Sequence, residues 1–231
     1  DSNIPADQIE FGGGQIFDRE NPDNSVSFRR VAGGTHWSPG LLPDGMDAAL
    51  RETATWAPRE LTTPGEDDRI NTSLTYGFVF DFCGVEIDPD TGKVDVVRYG
   101  AVDDYGTIIN PMVASGQVHG AIAQGIGQAL LEHAVYQDIS GQLLSGSLLD
   151  YALPRATDIP PLSVIFNGID CTTNPLGVKG CGEAGAIAGF PAITNAISDA
   201  LAPLNIHSFE GPATPERVWR VINQAQKGED R

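Results

Sequence analysis

Sulfur, imidazole and positive charge are all scarce in this chain. Its 231 residues include three cysteines, Cys83, Cys171 and Cys181, and no two of them have C-x-x-C spacing. That excludes a zinc ribbon or a cysteine-held iron–sulfur cluster within the chain. So sparse and odd a set points to a reducing, cytoplasmic compartment. The four histidines are scattered. His119 and His133, if they share a helix, lie ~21 Å apart at 1.5 Å rise per residue, too far to hold one metal. No protein-ligated metal is expected. Fourteen basic residues stand against 31 acidic ones, for a formal charge of −17. A field of that sign repels nucleic acid and anionic membranes. No apolar run approaches the ~20 residues that span a bilayer, so no membrane span is expected. The first residues also lack the pattern of a secretory leader.

Glycine is abundant instead. There are 27 glycines, roughly 12% of the chain against a usual ~7%, which suggests tight loops and close backbone contacts around a bulky ligand. Hydrophobic residues make up 41% and charged residues 19%, a composition that supports a folded core of one large domain or two small ones.

Residues 1–70 read as an irregular, partner-contacting segment, and 71–231 as the C-terminal region, the two being separate or one continuous domain. The first thirty residues look extended, with a turn at Gly12-Gly13-Gly14. A short helix over 27–32 is entered through Ser25 or Ser27, and residues 33–68 look like loop. Two β-branched and aromatic runs, 75–88 and 93–102, flank Asp88-Pro89-Asp90-Thr91-Gly92, the signal of a β-hairpin. After Asn110-Pro111 the pattern turns helical to about residue 133. A second hairpin is expected over 136–144 with its turn near Ser140-Gly141, and a strand over 162–166. A loop, 172–182, leads into a helix over 183–201. Thr214-Pro215-Glu216 caps a last helix through Gln224. Strands and helices interleave without a regular βαβ rhythm, so the fold class is α+β, with mixed sheets and hairpins packed with helices.

On the helix after Pro111, Gly116, Gly120, Ala123 and Gly127 share a stripe, with Gln117, Gln124 and Gln128 beside it. Each glycine costs a helix ~1 kcal/mol relative to alanine, so the stripe suggests that something packs close to the backbone. A tight helix–strand crossing with exposed amides accounts for the spacing equally well.

The segment Gly177-Val178-Lys179-Gly180-Cys181-Gly182-Glu183-Ala184-Gly185 contains the literal pattern G-x-G-x-x-G from Gly180. A dinucleotide fold needs a strand before it and an acidic residue ~20 positions later. Here Asn174-Pro175-Leu176 precedes, and Asp199 follows Gly185 by only fourteen residues. Glu183 would also place a negative charge where a pyrophosphate should lie. What remains is a glycine-rich loop delivering a carboxylate to the start of an apolar helix, whose dipole favours negative charge there. Free N–H groups at Gly180 to Gly182 could grip an anion. Glu183 is either a general base held beside its proton donor or simply a favourable first-turn residue. The hydrolase signatures G-x-S-x-G and H-E-x-x-H are both missing.

Residues 177–185, followed by Pro191-Ala192, Asn195-Ala196 and Asp199-Ala200-Leu201, resemble the C-terminal signature of the xanthine dehydrogenase, aldehyde oxidase and aerobic carbon monoxide dehydrogenase family. Asp103-Asp104 through Asn110-Pro111, Gly116-Gln117 through Gly127-Gln128, and Asp150-Tyr151-Ala152-Leu153-Pro154-Arg155 match it in the same order. So does the ending from Pro212 to Trp219, and the resemblance spans roughly residues 70–225. It implies the C-terminal part of a large subunit, a fold of the molybdenum-cofactor-binding domain type, and molybdenum–molybdopterin as cofactor, with the cytosine dinucleotide form left open. It also implies hydroxylation of a carbon centre of a small-molecule substrate, with water as the oxygen source. Glu183 matches the catalytic base and Gln124 an amide near the cofactor, while Lys179, Gly180, Cys181 and Gly182 fall where its anionic parts lie. Cys181 is there a small filler rather than a ligand, since this family holds molybdenum through the pterin.

The family's large subunit is much longer, and its other half and its iron–sulfur and flavin modules lie outside this chain. The implied partners are therefore the rest of the large subunit, an iron–sulfur subunit and, in some members, a flavin subunit. A catalytically incomplete piece that only contacts cofactor or partners fits the same residues. Tyr105 stands where many relatives have cysteine.

Overall fold

The turn expected at Gly12-Gly13-Gly14 closes a hairpin between β1 (Ile9–Gly12) and β2 (Gln15–Asp18). Gly13 and Gly14 sit at φ 56° and 75°, the left-handed pair of a hairpin turn that only glycine enters without strain. This computed structural model describes residues 4–38, 40, 42 and 53–228, and the chain divides into two units, 1–57 and 58–231. In the first unit β3 (Ser25–Ser27) pairs antiparallel with β2. The helix α1 (Phe28–Trp37) then starts where Ser27 accepts a hydrogen bond from the Arg30 N–H at 3.2 Å. It continues through Gly33-Gly34, which the sequence reading assigned to loop. Once the serine cap has nucleated the helix, two glycines at ~1 kcal/mol each do not stop it. The rest of that expected loop is described at 40, 42 and 53–68, where Thr62 forms a single β-bridge with Asn71; positions 39, 41 and 43–52 lie outside the described residues.

The second unit is built on the predicted hairpin. β4 (Phe78–Ile87) and β5 (Val94–Asp104) pair antiparallel through a turn in which the Asp88 carboxylate accepts hydrogen bonds from the Asp90 N–H and the Thr91 hydroxyl. β6 (Leu162–Phe166) adds parallel to β5, giving the order β4-β5-β6. A parallel neighbour needs a crossover, and α2 (Pro111–Leu130) supplies its helical part. The α2 start follows the sequence: Asn110 accepts from the Val113 N–H at 3.2 Å, and Pro111 takes the first position. α3 (Ala184–Leu201) lies beside α2, and α4 (Pro215–Gln226) closes the far end. Thr214 caps α4 by position alone, since its side chain makes no capping hydrogen bond. The second expected hairpin is reduced to one bridge, Tyr136 to Leu143, around a turn with Gly141 at φ 69°. Mixed sheets packed with helices make the fold α+β, as the sequence indicates.

The core lies between the inner face of the sheet and the two long helices. Tyr99 and Ala101 of β5, Val118, Ile122 and Ile126 of α2, and Ile193 and Ile197 of α3 are all buried. Each such isoleucine stabilises the fold by about 1.5–3 kcal/mol through the apolar area it removes from water. α2 and α3 run in the same direction. Gly185 faces Val118, Ala121 and Ile122, and Gly189, four residues on, faces Gly125. Among the described residues no helix is long and apolar enough to cross a membrane.

Candidate active-site loop

Two segments far apart in sequence meet to hold the glycine-rich loop. Asp104, at the end of β5, accepts through Oδ1 from the Gly106 and Ile169 N–H groups, both at 3.0 Å. Its Oδ2 receives Lys179 Nζ at 2.6 Å, with both side chains largely shielded, 10% and 15% exposed. The hydrogen bond from Lys179 holds the Asp104 carboxyl below the usual carboxylate range. The Lys179 N–H donates to the Tyr105 carbonyl at 2.9 Å and the Thr107 N–H to the Gly177 carbonyl at 3.0 Å. Asn174 closes the loop on itself, accepting from the Val178 N–H and donating to the Val178 carbonyl. Thus Asp103-Asp104 through Asn110 and the 177–185 segment, two separate motifs in the sequence, form one structure.

Beyond Lys179 the loop is open. Gly180, Gly182 and Glu183 are exposed and Cys181 is half-buried, its side chain packed against the core near Tyr105 and Ala114. The N–H groups of residues 180–183 donate to no backbone or side-chain acceptor among the described residues. They sit at the positive end of an 18-residue helix, an arrangement suited to an anion. Glu183 is the N-cap residue of α3, at φ −110° and ψ −9°, and its side chain makes no capping hydrogen bond. Among the described residues nothing holds this carboxylate.

The residues named from the sequence are therefore placed differently from one another. Glu183, Gly180 and Gly182 face outward from one loop. Lys179 lies beneath them with its charge committed to Asp104. Gln124 is exposed on α2. Seven residues before it, ~10 Å along the helix, Gln117 is the amide that reaches the loop: its Oε1 lies 3.7 Å from where a Cβ on Gly182 would stand. The sequence reading placed Gln117 on the same helix face but did not single it out. The parallel packing of α2 and α3, which brings it to the loop, has no local signature. The anchoring role of Asp104 was missed for the same reason.

The glycine stripe is also resolved into parts. A Cβ on Gly116 or Gly120 would meet nothing within 4 Å, whereas one on Gly127 would lie 2.9 Å from Pro154 Cδ. The tight backbone approach occurs on another side of α2. There a Cβ on Gly125 would come to 3.0 Å from the Gly189 Cα.

Under the loop lie two acids, Asp103 buried and Asp81 half-buried. Asp103 is 1% exposed with Oδ2 unpartnered, and the Tyr105 hydroxyl beside it, also on a 1% exposed residue, has no partner either. Tyr99 donates to Asp81 Oδ2 at 2.6 Å. Burial, then the charge of Asp81, pushes Asp103 up to about 6. Burial likewise raises Asp81 against the Tyr99 hydrogen bond, and lifts the Cys83 thiol to about 11. Tyr105 itself fills the core, its ring 6.0 Å from that of Phe166.

Residues 1–160 match the family described as the molybdopterin cofactor-binding domain. The chain belongs to that family. It is 36% identical over 200 residues to the nicotine 6-hydroxylase large subunit of Paenarthrobacter nicotinovorans, covering 86% of this chain and 23% of that one. Among solved structures it superposes on quinoline 2-oxidoreductase from Pseudomonas putida 86 with a TM-score of 0.76 at 34% identity, over 95% of this chain and 26% of that one. It superposes on the Cu,Mo-CO dehydrogenase in its carbon monoxide reduced state with a TM-score of 0.77 at 28% identity, over 99% and 26%. The chain thus spans about a quarter of the length of the relatives it matches. Within it, α2 lies inside the family match and Glu183 beyond it.

Proposed function

We propose that this chain supplies the catalytic base and one wall of the cofactor pocket of a molybdenum hydroxylase, completed by polypeptide outside residues 1–231. The observation that carries the reading is Glu183: an exposed carboxylate, free of internal partners, at the head of α3 on a loop pinned from below by Asp104 and Lys179. The unpartnered N–H groups of 180–183 and the Cβ-free approach at Gly180 fit an anionic group of the size of a pterin phosphate. Gly180, Cys181 and Gly182 would hold it through backbone, and Gln117 and Gln124 present amides from α2. Lys179 acts at one remove, fixing the loop through Asp104.

In the reaction one water oxygen is added to a substrate carbon in place of hydrogen, with release of two electrons and two protons. When bound, molybdenum–molybdopterin accepts the two electrons. Glu183 would take a proton from the water-derived nucleophile on a carboxylate oxygen. Iron–sulfur and flavin partners, as in the family resemblance, would drain the electrons, and a cytoplasmic setting suits such partners. Mass spectrometry of the extracted pterin reads its nucleotide form, the cytosine dinucleotide included.

Glu183→Gln in the complete enzyme is the test. It keeps the shape and removes the base, so turnover should fall about 10²- to 10⁴-fold, with molybdenum content unchanged by elemental analysis. Turnover near the parent rate rejects Glu183 as the base.

A further inference from the structure

The second unit leaves one face of its sheet bare. On β4 the side chains alternate: Val79, Asp81 and Cys83 turn toward the helices, and Phe78, Phe80 and Phe82 turn away, 68%, 70% and 56% exposed. The register continues this apolar face across all three strands, with Phe80 opposite Val102 and Val102 opposite Ile165. Ile165 is 57% exposed. Phe82 lies over Gly100, and its ring centre is 6.0 Å from that of Phe80. Among the described residues β4 is an edge strand, paired with β5 alone, and its edge is guarded by the register shift at Gly84/Val85 and by the inward-turned Asp81. What stands uncovered is the aromatic face, and an exposed apolar face of this kind marks a surface that another polypeptide covers.

We propose that this surface, the Phe78-Phe80-Phe82 face continued through Val102 to Ile165, is the seat of large-subunit polypeptide lying outside residues 1–231. The proposal rests on the hydroxylase reading above, which requires such polypeptide. Two observations select the occupant. The relatives that match are about four times as long as this chain, so sequence enough to cover the sheet exists in proteins of this architecture. A second copy is disfavoured by charge, because each chain carries −17 and two would repel at close range.

Photo-cross-linking of the natively purified protein, with p-benzoylphenylalanine in place of Phe80, tests the seat. The expected result is cross-linked peptides from large-subunit polypeptide outside residues 1–231. Replacement of Ile165 in the same way, at the other end of the row, should link the same polypeptide and covers the case in which the Phe80 variant fails to fold. Cross-links to a second copy of this chain, to an iron–sulfur or flavin subunit, or to nothing would overturn the proposal. Molybdenum measured in the same samples separates the two readings. Metal without the cross-link sinks the docking surface alone, and the cross-link without metal sinks the hydroxylase alone. A preparation with neither metal nor further polypeptide overturns both.

Discussion

Where α2 meets α3, a Cβ on Gly125 would come to 3.0 Å from the Gly189 Cα, and one on Gly185 to 3.0 Å from Ala121, Ile122 and Val118 atoms alike. Elsewhere on α2, Gly116 and Gly120 border open space. Both regions are helical glycine at helical spacing, the first shared between α2 and α3 and the second on α2 alone, and they serve opposite ends. The first lets two parallel helices approach until backbone touches backbone, and belongs to the core. The second leaves backbone uncovered on the side where Gln124 is exposed. A glycine on a helix is informative only with the partner it admits.

That contrast can be tested from its strongest consequence downward. Gly125→Leu forces a branched side chain into the backbone of α3, and overpacking of this kind should cost about 3 kcal/mol. Denaturant unfolding of the protein reads it, and a midpoint equal to the parent's would show that the helices can part without loss. The buried Asp103 beneath the loop comes next. Asp103 has its pKa raised from 3.8 to about 6 on folding, so between those values the folded state holds a proton that the unfolded state has released. The stabilising contribution is complete below pH 4 and is lost as pH rises toward 6. Asp103→Asn should therefore flatten the fall in stability across that window by roughly 1–3 kcal/mol, measured by thermal unfolding at pH 4 and pH 7. A variant whose pH profile overlays the parent's would mean that Asp103 ionises freely. The smallest effect is expected on the open side: Gly120→Ala should raise stability by about 0.5–1 kcal/mol, since nothing blocks the methyl group. A destabilised Gly120→Ala would place covering polypeptide against that face of α2. Gly120→Leu should also lower molybdenum occupancy of the complete enzyme without destabilising the fold. Full occupancy would separate the open stripe from the cofactor.

Much of the fold could be read from local pattern because local physics decided it. The alternation of Phe78 to Phe82 and the Asp88–Gly92 turn specify the hairpin, and Asn110-Pro111 starts α2 within a residue of where it is observed. What escaped depended on partners distant in sequence. Periodicity shows that Gly116 and Gly120 share a face but not that this face is open. Nothing near Lys179 announces that its charge is taken by Asp104. Tyr105 stood out only as a departure from a family habit. In the structure it is a core side chain against Phe166, its hydroxyl caught beside Asp103. Of the candidate site, the loop and its glutamate were visible in sequence, whereas the amide nearest the loop, Gln117, emerged only from the parallel alignment of two helices.

The Lys179–Asp104 pair joins positions 75 residues apart, and with the Lys179–Tyr105 and Thr107–Gly177 backbone contacts it clamps the two ends of a long excursion of chain. Within that excursion α2 and β6 are fixed by the core, whereas the exposed apolar segment around Leu148 and Leu149, tethered at neither Asp104 nor Lys179, is free to change length without loosening the clamp.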